Sequence, residues 1–108
     1  MTIVTTSNEI VGYRIVEYKG IVRGLVVRAT SVVSGFTGSV KAMFGGNISE
    51  YEKVCENARE DAYRRMVAHA EQLRADGIIA MRYDATEFMD GTTEVLAYGT
   101  AVKLVKSQ

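Results

Sequence analysis

Three carboxylates crowd the tip of a predicted β-hairpin: Glu87 and Glu94 on its two strands and Asp90 in its turn. With Asp90-Gly91 as a two-residue type I′ turn and Met89 opposite Thr92, Glu87 falls directly across from Glu94. Like charges so placed repel, and a bound cation would relieve the repulsion. Oxygen donors alone suit a hard ion such as calcium or magnesium, so a divalent metal is the candidate cofactor here. Carboxylates splayed into water account for the same residues more simply.

Heavier metals want thiolate or imidazole ligands at short spacing, and the chain has one cysteine, Cys55, and one histidine, His69. A helix would hold these two roughly 21 Å apart, too far to share an ion. Cys55 reads as a small buried hydrophobe. His69 reads as a neutral imidazole satisfied by one hydrogen bond, although a ring of copies could bring several His69 side chains to one axis. Gly35-Phe36-Thr37-Gly38 before a predicted helix invites a phosphate-loop reading, but neither phosphate-binding glycine spacing is present. Serines and threonines are plentiful, yet the single histidine has no identifiable orienting acid, so no catalytic constellation is recognised.

The elements that would position these groups begin with a long amphipathic helix over residues 49–76. Ser49 and Glu52 form a capping box, Gly77 stands where a left-handed closing residue is wanted, and no Gly or Pro interrupts the span. Tyr51, Val54, Cys55, Ala58, Ala62, Met66 and Leu73 share one stripe, opposite Lys53, Asn57, Glu60, Arg64 and Glu71. Glu60 with Arg64, and Asp61 with Arg65, are spaced as helical ion pairs. Tyr63 and Val67 lie off the stripe and point to a neighbouring subunit. A rod of roughly 42 Å also overhangs a domain whose expected radius of gyration is near 13 Å.

After the helix, residues 78–89 and 92–106 form the hairpin. The turn's register places Ile79, Met81, Tyr83 and Ala85 on one face with Val102, Thr100, Tyr98 and Leu96, and that face reads as core. The reverse face, rich in alanine and glycine, can accept another backbone closely. Upstream, residues 10–30 read as a long strand bent or bulged near Gly20 and Gly24, with a tight turn at Lys19-Gly20 as the alternative. Residues 2–6 add a short strand. Residues 31–44 read as a weaker second helix; with only Lys41 on its polar side, packing explains its periodicity better than a membrane surface does.

With 108 residues, 47% of them hydrophobic, the chain fits one domain over residues 1–108. Thirteen basic residues balance thirteen acidic ones, leaving no field to attract nucleic acid. No membrane span is predicted, and a lone cysteine with no secretory leader points to the cytoplasm.

Ile15-Val16-Glu17-Tyr18 before Gly20, Gly45-Gly46 leading to Tyr51-Glu52-Lys53, Ala58-Arg59-Glu60 and Gly99-Thr100-Ala101-Val102 occur in an order and spacing that resembles the YbjQ-like family. These small bacterial proteins are grouped under the description "putative heavy-metal-binding" without an established function. The resemblance implies an α+β, dodecin-like protomer: a meandering antiparallel sheet packed on one long helix plus a short helix. It also implies assembly into a homo-oligomeric ring, a pentamer. Members often carry Asp-x-Asp after the long helix, where this chain has Arg82 and then Asp84, so one carboxylate of the pair is missing. A small molecule held between subunits is the alternative ligand, with Tyr13, Tyr18, Tyr51, Tyr83 and Tyr98 as aromatic surface.

Overall fold

The computed structural model describes residues 1–29, 49–89 and 91–108, with the side chains of Ala29 and residues 49–54 outside that description. The elements run β1 (Ile3–Val4), β2 (Tyr13–Ala29), α1 (Ser49–Gln72), β3 (Gly77–Met89) and β4 (Thr92–Lys106). They form a four-stranded sheet in the order β1-β3-β4-β2. β4 is antiparallel to both neighbours, whereas β1 is parallel to β3. The sheet is therefore mixed, not the expected antiparallel meander. β2 and β3 point the same way on either side of β4, and α1 is the crossover between them. The predicted second helix lies outside the described residues.

α1 opens at Ser49 and stops at Gln72, before the predicted end. The Ala75 N–H donates to the Ala70 carbonyl, and the Arg74 N–H to that of Glu71, each at 3.0 Å. Arg74, at φ 60°, occupies the left-handed position expected of Gly77. Gly77 instead opens β3, where an added Cβ would lie 3.0 Å from Cδ1 of Ile10 and 3.1 Å from the Ile3 carbonyl oxygen. The Ser49 and Glu52 capping groups are outside the described side chains.

Ala58, Ala62, Met66 and Ala70 recur every fourth residue along α1 and are buried against Val22, Val26, Val95, Ala97 and Ala101. Small residues let the helix backbone approach the sheet: a Cβ on Gly24 would sit 1.9 Å from the Ala62 carbonyl oxygen. Cys55, about 60° around the helix from Ala58, is exposed rather than buried. Tyr63 and Val67 are half-buried and pack against this same core, so the flank assigned to a neighbour is used within the protomer. Glu60 and Arg64 pair at 2.6 Å as expected, but Asp61 pairs with Arg28 of β2.

β2 is continuous, without a turn at Lys19-Gly20, and carries two register shifts, at Ile15/Glu17 and Tyr18/Gly20. The second shift reverses the side on which residues fall, leaving Tyr18 exposed while Val22 and Val26 are buried. The hairpin keeps the predicted Met89–Thr92 pair but shifts by one residue before Glu87 and again near Ala80. Tyr83 consequently faces Ala97, not Tyr98, and Ala85 faces Val95. On β4 the alanine-rich face expected to accept another backbone does so, taking α1 and with it the core, whereas Leu96, Tyr98 and Thr100, expected on the core face, turn to the opposite side.

Candidate functional site

His69 is half-buried, and its Nδ1 accepts the backbone N–H of Arg23 at 3.2 Å. One turn earlier, Arg65 Nη1 donates to the Leu25 carbonyl at 2.7 Å. A metal could therefore reach His69 only through Nε2 unless the strand contact broke.

The predicted Glu87–Glu94 pairing does not form. Glu87 is paired with Thr93, and Glu94 with Thr86. Because cross-strand partners share a face, the single-residue shift sends Glu87 and Glu94 to opposite faces of the hairpin. Asp90 lies outside the described residues. No group of three His, Cys, Asp or Glu side chains able to hold a metal occurs among the described residues. The donor set of the described protomer does not fit a heavy-metal centre.

The open face offers a different surface. Tyr18, Ile21, Leu25 and Val27 on β2 are 68%, 73%, 43% and 49% exposed. Across the sheet, Arg23, Tyr98 and Arg82 stand in one row, and Leu25, Leu96 and Asp84 in the next. Arg82 Nη1 is held by the carbonyls of Thr6 at 3.0 Å and Met81 at 2.8 Å. The surface is a long apolar strip interrupted by cations.

At the far end of β2, next to its two bulges, an open cleft of about 500 Å³ is lined by residues 8–15, Tyr18 and Ser107. Gly12, at φ 89°, turns the chain so that Tyr13 N–H bonds the Ile10 carbonyl at 3.1 Å. Tyr13 and Tyr18 supply aromatic surface, with Glu9 and Arg14 as charged groups in the same lining.

Among the described residues, two titratable groups depart from ordinary behaviour. The Asp76 carboxylate accepts the Leu104 N–H at 2.9 Å and Lys103 Nζ at 3.3 Å. Chiefly through the Leu104 contact, its pKa is held below the usual carboxylate range. Tyr83 has its phenol pushed up, first by desolvation and then by Tyr63, against the opposing pull of Arg59. Asp76 joins α1, β1 and β4, since its own N–H bonds the Val102 carbonyl and its carbonyl receives the Ile3 N–H.

Among the described residues, one helix laid over one face of a four-stranded mixed sheet, with an apolar strip exposed on the other, defines a class of small α+β domains. The chain belongs to the YbjQ-like family: the family model, described as "Putative heavy-metal-binding", matches residues 2–105. A UPF0145 protein of Burkholderia thailandensis is 50% identical over 105 residues, covering 97% of this chain and 95% of that protein. One from Chromobacterium violaceum is 54% identical over 101 residues, covering 94% and 86%. The fold is also similar to a crystal structure of a DUF74-family protein of unknown function from Pediococcus pentosaceus. That likeness has a TM-score of 0.60 at 21% identity, covering 96% of this chain and 98% of the other.

The β2 strip and the bulged cleft were not recognised in the sequence. One signal for the strip was available: β2 is apolar on both parities, the pattern of a strand covered on both faces. Among the described residues, no helix is long and apolar enough to cross a membrane.

Proposed function

We propose that the chain is the protomer of a closed homo-oligomeric ring, five-membered by family resemblance, that binds a small ligand between its copies in the cytoplasm. The observation carrying this reading is the exposed strip Ile21, Leu25 and Val27 on one face of β2, with Phe88 and Met89 near the hairpin turn also exposed, at 54% and 60%. Its continuity is greater than scattered surface apolar residues require. The shape supports it as well: a radius of gyration of 17.4 Å and extents of 59 × 21 × 19 Å contrast with about 13 Å expected for a compact chain of this length.

For the ligand, the cleft beside Tyr13 and Tyr18 favours a small organic molecule, because its volume falls within the roughly 300–1,000 Å³ of ordinary ligand sites. A divalent cation is the second reading, resting on the family description. It requires symmetry to gather donors from several copies: His69 around an axis, or Glu87, Glu94 and Asp90 from neighbouring hairpin tips. Location in a reducing compartment rests on the single cysteine, Cys55.

Light scattering at micromolar concentration tests the assembly, with a mass several times 11.9 kDa expected. Ile21→Glu should lower that mass while leaving the helical circular dichroism intact. A wild-type monomer would overturn the ring. Native mass spectrometry of untagged protein, followed by calcium and zinc titration, separates the ligands: co-purifying organic mass supports the first reading, and micromolar metal binding the second.

A further inference from the structure

We infer that α1 guards the edge of β2, confining neighbouring copies to side-chain contact with the strip and preventing open-ended strand addition. This rests on the ring reading for its context and on separate backbone geometry for its mechanism. Among the described residues, β2 is an outer strand of the sheet, paired on one side with β4. Along such a strand, alternate residues turn both their N–H and C=O outward, where an incoming strand can bond them.

Arg23 donates its N–H to His69, and Leu25 offers its carbonyl to Arg65. Arg23 and Leu25 are thus successive outward residues, each with one of its two pairing groups already engaged. An antiparallel newcomer needs both groups of a residue to form a complete bonded pair. The two α1 side chains therefore spoil two consecutive pairing positions in the middle of β2. Gly24, between them, brings the helix close enough for both to reach, since any Cβ there would meet the backbone of Ala62 and Met66 at 1.9 and 2.5 Å.

The consequence matters because the outward residues Ile21, Leu25 and Val27 also bear exposed apolar side chains. A long apolar edge with free backbone groups is a template for unlimited sheet growth. With the central pairing positions engaged, the same apolar residues remain available for packing, which can close by symmetry into a finite assembly.

Amide hydrogen exchange and light scattering on full-length His69→Ala, His69→Gln and the His69→Ala/Arg65→Ala double variant test the guard. Loss of the acceptor should speed exchange at Arg23 by roughly tenfold, the upper range for one hydrogen bond. His69→Gln, which retains an acceptor, should recover most of the protection. The double variant should change from a discrete mass to one that rises with concentration, with thioflavin T fluorescence above wild type. Unchanged Arg23 exchange in His69→Ala, or a double variant that retains the wild-type mass distribution, would overturn the inference. If the double variant unfolds, exchange in the two single variants decides it. A wild-type monomer would sink the ring alone; strand growth on removing both side chains would still support the guard.

Discussion

The two sides of β2 carry similarly apolar residues and meet opposite fates. Toward α1, Val22 and Val26 are 0% and 1% exposed, while on the other side Ile21, Leu25 and Val27 stand in the open. Size is distributed against intuition as well. The helix side is built from glycine, alanine and valine, which permit close backbone approach, whereas the open side carries isoleucine, leucine and tyrosine. A strand meant to face water on one side usually alternates apolar with polar residues. The lesson is that β2 has one face finished by α1 and a second that the described residues leave exposed.

The most severe way to break the finished face is Gly24→Ala. Its added Cβ would collide with helix backbone, which cannot yield as a flexible side chain could, so a loss of at least about 3 kcal/mol is expected by urea denaturation. A loss below about 1 kcal/mol would mean that α1 can lift from the sheet without cost. A matched pair of truncations sharpens the contrast between faces. Met66→Ala empties a fully buried site and should cost roughly 2–5 kcal/mol, whereas Leu25→Ala should cost only about 0.5 kcal/mol under conditions that keep the chain monomeric. Equal costs in monomer would show that the open face already has cover within the chain.

Much of α1 was legible because helical periodicity is local: Ala58, Ala62 and Met66 could be placed on the core face from spacing alone. Its termination was not, since Arg74 takes the left-handed closing position and leaves Gly77 to meet a packing constraint set by Ile10 and Leu104. The hairpin turn was readable from Asp90-Gly91, yet the register beyond it was not. Each bulge adds one residue and exchanges the faces of everything that follows, and no residue type announced the shift at Phe88 or at Ala80. The expected Glu87–Glu94 pairing failed for that reason: the two were correctly placed on adjacent strands but one residue out of register. His69 was better read, as an imidazole with one hydrogen-bond partner, although only the fold could identify that partner as the Arg23 backbone.

Asp76 offers the mildest test, at the end of the molecule where α1, β1 and β4 meet. Its folded-state pKa is lowered mainly by the Leu104 N–H, so its contribution to stability is present above the unfolded carboxyl pKa of about 3.9 and is lost as pH falls through the lower folded value. The carboxylate and Lys103 are each 40% exposed, so water and salt screen their attraction and the effect is small. Asp76→Asn retains a carbonyl acceptor for Leu104 but loses the charge. Urea denaturation from neutral pH to about pH 3 should therefore show wild type ahead of the variant near neutrality, with the gap narrowing on acidification. A gap independent of pH would mean that the side chain acts through shape and hydrogen bonding alone. Such a result would make this junction a packing feature like the helix side of β2, with no electrostatic contribution of its own.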